Sequence, residues 1–284
     1  MNQFKLAIVV VCFHPRQDLK HNILSYCQMS DMLILWNNSP NDESFLEDLA
    51  DLKSIIFLKS NKNEGLAFAY NRAYEMAIAS GCTHLMTMDQ DSYFENAQEY
   101  RRCIEEKVNE GFQGMFAPVI NGSNILNRFR FIPHAAQSGC VFPCAMIEKV
   151  GMFREDFFIG MVDVEMQLRA AQFGYRIMEV GAVNMHHQIG SERQVRIFGK
   201  VISPNDYGPM RNYYDSRNRI LMWHEFPDDF SFGAKMTFLL GRLKQCAKIF
   251  LVGENKWQRI KAIMRGTWNG LTNRIIPYDV VDFG

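Results

Sequence analysis

Two carboxylates one residue apart, Asp89 and Asp91, stand directly after an apolar run at residues 84–88. This run predicts a buried strand that ends in a polar turn. Because side chains alternate along an extended chain, the two carboxylates can point in the same direction. They would then repel each other unless a cation lay between them, and a divalent cation that bridges a diphosphate prefers oxygen ligands of this kind. Alternatively, Asp91 and Ser92 simply close a turn after a strand.

The elements that must position these carboxylates can be predicted from apolar runs and helical spacing. Strands are expected at residues 6–13, 32–36, 55–58, 84–88, 115–119, 138–142, 176–180 and 182–185. Helices are expected before about residue 27 and at 42–52, 66–77, 95–110, 145–150, 163–173 and 213–224, with a loop at 120–134. Continuous apolar runs are typical of parallel strands buried on both faces. The alternation of strands and helices predicts an α/β fold with a mostly parallel central sheet flanked by helices.

Polar side chains gather at the ends of the predicted strands. In sheets of this kind, ligands bind beyond the carboxyl ends of the strands. The polar residues at or just after those ends are His14, Asn37, Asn38, Asn61, Asp89 and Asp91. This convergence favours a binding site over an isolated turn.

Three later stretches also contain residue types that take part in chemistry. Asp163 begins a predicted helix, where an aspartate most often caps the N-terminus. His186 and His187 follow a strand and precede a polar turn; histidines in such places are usually structural, but they are also common ligands of metals and phosphates. Residues 191–206 include Arg193 among turn-forming residues and predict a mobile, basic loop.

The composition argues against several classes of protein. The chain has 284 residues, of which 48% are hydrophobic and 22% charged, as expected for a globular protein with a substantial core. It shows no basic region before an apolar stretch at its start and no run of about 18 apolar residues, so neither a signal peptide nor a membrane-spanning helix is expected. The seven cysteines form no Cys-x-x-Cys pair, which favours reduced thiols in the cytosol over a zinc site or a disulfide framework.

The C-terminal segment is strongly basic although the whole chain has a net charge of zero. Residues 235–274 contain nine Lys or Arg and one acid, Glu254, so this segment carries +8 and the remainder −8. Two amphipathic helices are expected here, at about 230–252 and 255–272. Aromatic and basic side chains on such helices favour docking on a membrane surface. The alternative is that both helices pack on the rest of the protein.

Several of these features occur in an order that resembles the inverting family 2 glycosyltransferases, which have the GT-A nucleotide-diphospho-sugar transferase fold. Within that family, the chain is most similar to bacterial rhamnosyltransferases that build polysaccharides. The matching motifs are Phe13-His14-Pro15, Trp36-Asn37-Asn38-Ser39-Pro40, Asn61-Lys62-Asn63-Glu64-Gly65 with Asn71, Met88-Asp89-Gln90-Asp91-Ser92, Phe158-Ile159-Gly160-Met161-Val162-Asp163-Val164-Glu165 with Arg169, His187-Gln188-Ile189-Gly190, and Arg217-Asn218. They cover about residues 5–220, and the Asp-Gln-Asp-Ser motif is the most typical of the rhamnosyl branch.

The resemblance implies a role for each matched residue. Asp91 would bind a Mg²⁺ or Mn²⁺ cofactor, Asp89 the ribose or a water on the metal, and His187 the metal or the diphosphate. Asp163 would be the catalytic base, at the second position of the family's usual Glu-Asp motif. The residues expected on the donor side are His14, Asn37, Asn38, Asn63, Gly65, Asn71, Asp89 and Arg193, and those expected on the acceptor side are Gly139, Glu165 and Arg169.

Two positions depart from the family's pattern. Asn37 stands where the family usually has an Asp that contacts the nucleoside, which leaves the preference for a base open. Val162 stands where a Glu usually precedes the base, although the Val-Asp-x-Glu form also occurs in the rhamnosyl branch.

The activity implied by the resemblance is an inverting transfer of a sugar, expected to be L-rhamnose from dTDP-rhamnose, to a hydroxyl of a growing, lipid-linked cell-surface polysaccharide. The expected organisation is a transferase domain at residues 1–225 and a basic helical extension at 226–284. The expected partners are the nucleotide-sugar donor, a saccharide acceptor and the inner face of the cell membrane, where the protein would be cytoplasmic and peripheral; no nucleic acid is expected.

Three alternatives stay open at this point. The first is a transferase that uses a UDP-linked hexose or galactofuranose, and the second is a non-catalytic nucleotide-sugar-binding module. The third, a nucleotidyltransferase, is disfavoured because no Gly-rich, basic phosphate loop lies near the first strand.

Overall fold

The computed structural model divides the chain into two compact units. The described residues are 3–39, 42–50, 52, 55–122, 127–187, 195–197, 200–202 and 207–280. The first unit comprises Met1–Glu155 and Met166–Gln188, and the second comprises Asp156–Glu165 and Ile189–Gly284. A functional boundary at residue 225 stays a prediction.

A mixed sheet forms the centre of the first unit. Its strands in the described residues are β1 Leu6–Cys12, β2 Met32–Asn37, β3 Ile55–Lys59, β4 His84–Asp89, β5 Ser92–Phe94, β6 Met115–Ile120, β7 Phe129–Ile132, β8 Val141–Pro143 and β9 Ile177–His187. Their order across the sheet is β3-β2-β1-β4-β8-β6-β9-β5, and β7 also pairs with β9. Strands β1 to β4, β6 and β9 run parallel to one another, whereas β5, β7 and β8 are antiparallel to their neighbours. The predicted α/β fold with a mostly parallel sheet is confirmed.

Six α-helices of the described residues lie between these strands along the chain. They are α1 Leu19–Tyr26, α2 Phe45–Asp48, α3 Gly65–Ala79, α4 Ala97–Asn109, α5 Cys144–Val150 and α6 Val162–Gln172. Along the chain, α6 begins in the second unit and ends in the first. The start of α4 is fixed by Asn96, whose side-chain oxygen accepts a hydrogen bond from the backbone N–H of Glu99 at 3.2 Å.

The apolar strands form where they do because both of their faces are covered. Every residue of β1 is buried, and β1 lies between β2 and β4. On one face, Leu6, Ile8 and Val10 pack in a core cluster that also contains residues of α1 and α4. Helix α3 contacts β1, β2 and β4. Such burial favours the strands strongly, since each large apolar side chain removed from water contributes about 1.5–3 kcal/mol.

Two short strands were not predicted from the sequence. The stretch at residues 120–134, expected as a loop, contains β7, and β5 directly follows the Asp-Gln-Asp turn. Strands of three or four residues are too short to show a clear alternation. Both are stabilised by pairing with β9, which is far away in the chain. The ion pair of Arg130 with Glu179 also links β7 to β9.

Two other expectations about the first unit are wrong. Residues 176–180 and 182–185, expected as two strands, belong to the single strand β9. The pairing of β9 with β6 shifts between Pro118 and Val119 of β6. The sequence at such an irregularity looks like the end of one strand and the start of another, although β9 continues through it. The acidic helix expected at 42–52 is reduced to the single turn α2.

Three long helices dominate the described residues of the second unit. They are α7 Pro209–Glu225, α8 Phe232–Val252 and α9 Lys256–Leu271, and two short strands, β10 Val195–Ile197 and β11 Lys200–Ile202, pair antiparallel. Helix α9 lies against α7 so closely that a Cβ added at Gly266 would be 2.3 Å from the carbonyl oxygen of Tyr213. The C-terminal helices expected from the sequence are therefore present. Within the described part of the chain, no helix combines the length and the hydropathy needed to cross a bilayer.

The cysteines form no disulfide in the described residues, and all seven lie in that part of the chain. Burial raises the pKa of Cys144 to about 12 and also raises the pKa of Cys12. These thiols therefore stay protonated and poorly nucleophilic at neutral pH.

A buried histidine in β4 predicts a pH dependence of stability. Burial lowers the pKa of His84 from 6.5 to about 4. Below pH 6.5, the unfolded chain takes up a proton on this imidazole that the folded chain does not, so stability falls as the pH decreases from about 6.5 to about 4. The full loss corresponds to about 3 kcal/mol. Urea unfolding at several pH values is expected to show this slope.

The matched variants are His84→Asn, which removes the titrating group, and His21→Asn, which removes an exposed imidazole. The His84 variant is expected to lose the part of the slope between pH 6.5 and pH 4 that His84 contributes, about 3 kcal/mol in total, whereas the His21 variant keeps it. Equal slopes in both variants and the wild type would contradict the assignment.

Candidate functional site

Three side chains that can bind a metal meet at one end of the central sheet. One ligand atom from each of Asp89, Asp91 and His187 lies within 4.8 Å of the others. The Nδ1 atom of His187 is 3.4 Å from Oδ1 of Asp91 and 4.0 Å from Oδ2 of Asp89. All three side chains are partly exposed, so a ligand can reach them. The structure thus brings together the three residues expected to form a metal site, and their binding role stays a prediction.

The strand order places this cluster where ligands bind in open α/β sheets. Starting from β1, the chain adds β2 and β3 on one side and β4 on the other. The order therefore reverses between β1 and β4, and in open α/β sheets the ligand crevice lies at the carboxyl ends of two such strands. Asp89 is the last residue of β4 and lies beside Val11 of β1. The antiparallel pair of β5 and β9 then sets Ser92 opposite His187.

Two serine hydroxyls connect the carboxylate turn to the histidine. The Oγ atom of Ser138 accepts a hydrogen bond from the backbone N–H of Asp89 at 3.0 Å and donates one to Oγ of Ser92 at 2.8 Å. Ser92 Oγ is in turn 2.8 Å from Nδ1 of His187. These contacts fix the imidazole relative to the turn. The sequence gives no signal for Ser138, because only the fold brings it to this place.

One buried oxygen atom of Asp91 indicates that the cluster can hold a divalent cation. Oδ1 of Asp91 is buried, and no hydrogen-bond donor of the described residues reaches it. A buried carboxylate oxygen without a donor is unfavourable, and it requires a compensating group. Two carboxylates and one imidazole form a donor set suited to Mg²⁺ or Mn²⁺. Asp89, Asp91 and His187 are therefore the residues that would hold such an ion.

Ser92 should tune the affinity of this site for metal. The variant Ser92→Ala removes the hydroxyl that lies 2.8 Å from Nδ1 of His187. With Mn²⁺ taking the other ring nitrogen, Nε2, we expect the ion to bind at least about tenfold more weakly in this variant. Electron paramagnetic resonance of free Mn²⁺ gives the dissociation constant directly. The control is Ser30→Ala, because Ser30 also makes a hydroxyl hydrogen bond, to the carbonyl of Cys27. Unchanged Mn²⁺ affinity in Ser92→Ala would contradict this positioning role.

Gln90, between the two aspartates, ties the turn to the end of β1. The backbone N–H of Phe13 donates to Oε1 of Gln90 at 2.7 Å, and Nε2 of Gln90 donates to the carbonyl of Phe13 at 3.1 Å. The side chain of Asn22 also donates to the carbonyl of Gln90 at 2.9 Å. In the sequence, Gln90 is one residue of the Asp-Gln-Asp-Ser motif, and only the structure shows that its side chain holds the end of β1.

His14 lies just beyond the end of β1 with its ring in solvent. Its backbone has a φ of 45° and its N–H donates to Oγ of Ser39 at 2.6 Å. Its Nδ1 is 3.1 Å from Oδ2 of Asp42, and this hydrogen bond lowers the pKa of the Asp42 carboxyl. His14 therefore lies exposed just beyond the carboxyl end of β1, and its expected contact with a donor stays a prediction.

The side chains of Asn37 and Asn38 form hydrogen bonds with nearby backbone groups at the end of β2. Oδ1 of Asn37 accepts from the backbone N–H of Ser39 at 2.8 Å, which closes a tight turn. Oδ1 of Asn38 accepts from Nε1 of Trp36 at 2.8 Å, and Nδ2 of Asn38 donates to the carbonyl of Gly65 at 3.0 Å. Both amides are buried. The structure thus gives both amides internal contacts at and just after the end of β2, and their contact with a donor stays a prediction.

The remaining donor-side residues lie around the start of α3. Oδ1 of Asn63 accepts from the N–H of Gly65 at 2.9 Å, and Gly65 has a φ of 83°, which favours glycine. Asn71 is buried within α3, and its Nδ2 donates to the carbonyl of Phe153 and to Oε1 of Glu155, both at 2.9 Å. Asn71 therefore anchors the segment after α5, a contact that the expectation of donor binding did not include.

Two residues expected on the acceptor side have clear internal contacts. Gly139 has a φ of 79°, and a Cβ there would lie 2.6 Å from Cγ of Pro118. The guanidinium of Arg169 donates to the carbonyls of Val150 at 2.6 Å and Met152 at 2.8 Å, so it closes the C-terminal end of α5. A role for either in binding an acceptor stays a prediction.

Asp163 stands at the second position of α6, after a segment with an unusual backbone. Phe158, Gly160 and Met161 have φ values of 57°, 77° and 65°. Such conformations cost about 1–3 kcal/mol for a residue other than glycine and are common at functional sites. Asp163 is half-buried, and Glu165 is buried in the same turn.

Arg217 and Asn218 of α7 hold this segment in place. Nδ2 of Asn218 donates to the carbonyls of Phe157 at 2.8 Å and Gly160 at 2.9 Å. Arg217 is fully buried and donates to the carbonyls of Asp156 and, at 2.6 Å, of Ile276. This is a structural reason for the Arg-Asn pair in the sequence. The pair fixes the segment that leads into Asp163.

Some residues expected at the site lie outside the described part of the chain. Arg193, expected on the donor side, is among them, and so is the segment at 188–190 that follows His187. The basic loop expected at 191–206 includes β10 and β11, and only the backbone of those two strands is described.

The sheet order, the carboxylate pair after β4 and the helices around them define the fold of a GT-A glycosyltransferase. Two solved structures share it. GalNAc-T7, solved with UDP, GalNAc and Mn²⁺, superposes with a TM-score of 0.59 at 13% identity and covers 80% of this chain. TarS of S. aureus superposes with a TM-score of 0.53 at 12% identity and covers 98% of this chain. The chain spans about half the length of each, 49% and 50%.

A curated relative is more specific. The chain is 24% identical over 238 residues to dTDP-rhamnosyl transferase RfbF of Shigella flexneri. The matched region covers 75% of this chain and 78% of the relative. No protein-family profile matches the chain. The curated relative therefore supports the resemblance to rhamnosyltransferases, and the solved structures support the GT-A fold.

Proposed function

We propose that this protein is a metal-dependent, inverting glycosyltransferase that moves L-rhamnose from dTDP-rhamnose to a hydroxyl of a growing, lipid-linked cell-surface polysaccharide. The observation that carries this proposal is the cluster of Asp89, Asp91 and His187 at the carboxyl end of β4 in a GT-A fold. The donor is chosen because the curated relative is named for dTDP-rhamnose.

In this proposal, the first unit binds the donor. Asp91 and His187 would hold Mg²⁺ or Mn²⁺, and Asp89 would contact the ribose or a water on the metal. The bound ion supplies Lewis acidity that neutralises the charge of the diphosphate as it leaves. His14 at the edge of the crevice contacts the nucleoside, and Gln90 keeps the end of β1 in place against the carboxylate turn.

Asp163 acts on the acceptor as general base. The acceptor oxygen forms a bond to the anomeric carbon while the bond from that carbon to the dTDP oxygen breaks, so the anomeric configuration inverts. The proton of the acceptor hydroxyl passes to the carboxylate of Asp163. A positioned base of this kind contributes about 10²–10⁴ in rate. An ordinary carboxyl pKa near 4 suffices, because the hydroxyl becomes acidic as the new bond forms.

The acceptor determines where the protein would act. A lipid-linked saccharide is presented at the inner face of the cell membrane, so we propose a cytoplasmic protein that associates peripherally with that face. The basic character of the C-terminal segment supports this location.

The test is release of nucleotide from a panel of dTDP-, UDP- and GDP-sugars with Mn²⁺, Mg²⁺ or EDTA, in the presence of a bacterial lipid extract that contains a usable acceptor. Release from dTDP-rhamnose alone, abolished by EDTA, is the expected result. Release from a UDP-linked hexose or galactofuranose would keep the transferase and change the sugar. Nucleotide binding without release from any donor would instead identify a non-catalytic nucleotide-sugar-binding module.

A further inference from the structure

Helix α8 leaves most of its apolar side chains in solvent. Phe232, Leu243 and Leu251 are 79%, 67% and 61% exposed. The exposed apolar positions lie one, three, four or seven residues apart, spacings that keep them on one side of the helix as one stripe: Phe232, Met236, Leu240, Leu243, Phe250 and Leu251. The two buried residues of α8, Gln245 and Ile249, lie on the opposite face. The stripe is therefore not the side by which α8 packs on its own unit.

Helix α9 continues this apolar surface. Trp257, Met264 and Trp268 are 67%, 64% and 55% exposed and also recur at helical spacing. The rings of Phe250 and Trp257 are 6.0 Å apart at the turn between the two helices, so the two stripes meet. We call the exposed apolar residues of both helices the α8–α9 face.

The other side of α9 is occupied within the second unit. Besides the close approach of Gly266 to Tyr213, a Cβ at Gly270 would lie 2.9 Å from the carbonyl oxygen of Arg217. Nδ2 of Asn269 also donates to the hydroxyl of Tyr213 at 2.8 Å. Packing on α7 therefore fixes the orientation of α9 and leaves Trp257 and Trp268 on the outside.

The charged side chains of α8 and α9 themselves are all basic. Neither helix contains an acidic residue, and the one acid in the segment, Glu254, lies in the turn between them. Lys244, Lys248 and Lys256 are exposed beside the apolar stripes. Apolar and aromatic side chains flanked by lysines are typical of surfaces that dock on membranes with anionic lipids.

We propose that the α8–α9 face docks on a lipid bilayer that carries anionic headgroups. The two tryptophans and the apolar residues of α8 would enter the boundary between headgroups and acyl chains, and the lysines would contact the anionic headgroups. Docking would bring the protein to a lipid-linked acceptor, and this role of the docking rests on the proposed function. The docking itself needs neither donor nor turnover.

A second copy of the chain is a poorer occupant of the same face. A two-fold contact brings the same patch of each copy together. It would place one set of lysines against an identical set, and like charges across an interface are unfavourable. An anionic bilayer instead complements the positive charge.

The experiment is sedimentation of the full chain with vesicles of phosphatidylcholine, with and without phosphatidylglycerol. We expect strong binding to vesicles that contain phosphatidylglycerol, weaker binding to phosphatidylcholine alone, and release at high salt. The double variant Trp257→Ser with Trp268→Ser should bind at least about tenfold more weakly. The double variant Lys244→Gln with Lys248→Gln should lose about tenfold in affinity for the anionic vesicles only.

The matched control is Phe173→Ser, because Phe173 is 49% exposed but lies in the first unit. Its binding should equal that of the wild type, and circular dichroism shows whether each variant is folded. Absence of vesicle binding in the wild type, or equal binding by all folded variants, would overturn the proposal. Dimers that dissociate in the tryptophan variant would also overturn it and assign the face to a second copy.

Vesicle binding and nucleotide release are separate measurements, so the two proposals fail separately. A chain that binds vesicles but releases no nucleotide keeps the docking surface and loses the transferase. A chain that releases nucleotide but does not bind vesicles loses only the docking surface.

Discussion

The variant Asp163→Asn is expected to lower the turnover number for glycosyl transfer by about 10²–10⁴ while donor affinity stays unchanged. An amide cannot accept the proton of the acceptor hydroxyl, but it is almost the same size as the carboxylate. Asp163 also follows a segment that Asn218 holds rigidly, so the geometry should persist in the variant. The measurement is kcat for nucleotide release, with the donor Kd from calorimetry.

The simpler role for Asp163 is stabilisation of the N-terminus of α6. Loss of that interaction costs only about 0.3–1 kcal/mol of stability and should not affect chemistry. Glu99→Gln is the control, because Glu99 is an acidic residue in the first turn of α4. It should lower Tm by a similar small amount and leave kcat unchanged. If donor affinity falls as much as turnover in Asp163→Asn, or if turnover survives, the base assignment is wrong.

The variant Asp91→Ala is expected to abolish metal-dependent donor binding. It removes a carboxylate oxygen that is buried, lies 3.4 Å from the His187 imidazole and has no hydrogen-bond donor in the described residues. Direct ligands matter more than the groups that orient them, for which losses of about 10–100-fold are typical, so we expect Mn²⁺ to bind at least about 100-fold more weakly. The measurement is calorimetric titration of dTDP in Mn²⁺ and in EDTA.

Stability separates this result from misfolding. Without metal, the Asp91→Ala variant loses a charge that is poorly compensated in the folded protein, so its Tm should be no lower than that of the wild type. Asp48→Ala, which removes an exposed carboxylate of α2, is the control and should keep both metal and nucleotide binding. Normal metal-dependent turnover in Asp91→Ala would contradict the metal site.

The sheet could be predicted where burial leaves a continuous signal. The run from Leu6 to Cys12 is apolar throughout because β1 is covered on both faces, and the same holds for most of β2 and β4. Strands β5 and β7 could not be predicted, because three or four residues are too few to show a clear alternation of apolar and polar side chains. Both strands are stabilised by their pairing with β9. That pairing joins residues up to 95 positions apart, as in the contact of Ser92 with His187.

The residues of the candidate site could likewise be predicted only in part. Asp89 and Asp91 could be found from their place after an apolar run, and His187 from its resemblance to a known motif. The contributions of Ser138 and Gln90 could not, because a serine hydroxyl or a glutamine amide becomes part of a site only through tertiary contacts. Arg217 and Asn218 were matched as a motif, and the structure adds the physical reason, their hold on the segment before Asp163.

The C-terminal helices illustrate an ambiguity that a sequence cannot resolve. Their pattern is compatible both with packing on the protein and with docking on a membrane. The structure shows that α9 does the first through Gly266 and Gly270 and still exposes Trp257 and Trp268. An amphipathic helix with two apolar sides has the same composition as one with a single wide side, and only the neighbours decide which residues are covered.

The most direct test of the central claim is a crystal structure of the protein with dTDP and Mn²⁺, recorded with anomalous scattering from manganese. The account predicts an anomalous peak within bonding distance of a carboxylate oxygen of Asp91 and a nitrogen of His187, adjacent to the diphosphate. An ordered nucleotide in this crevice with no manganese peak beside Asp91, or a manganese ion bound with the nucleotide elsewhere, would contradict it.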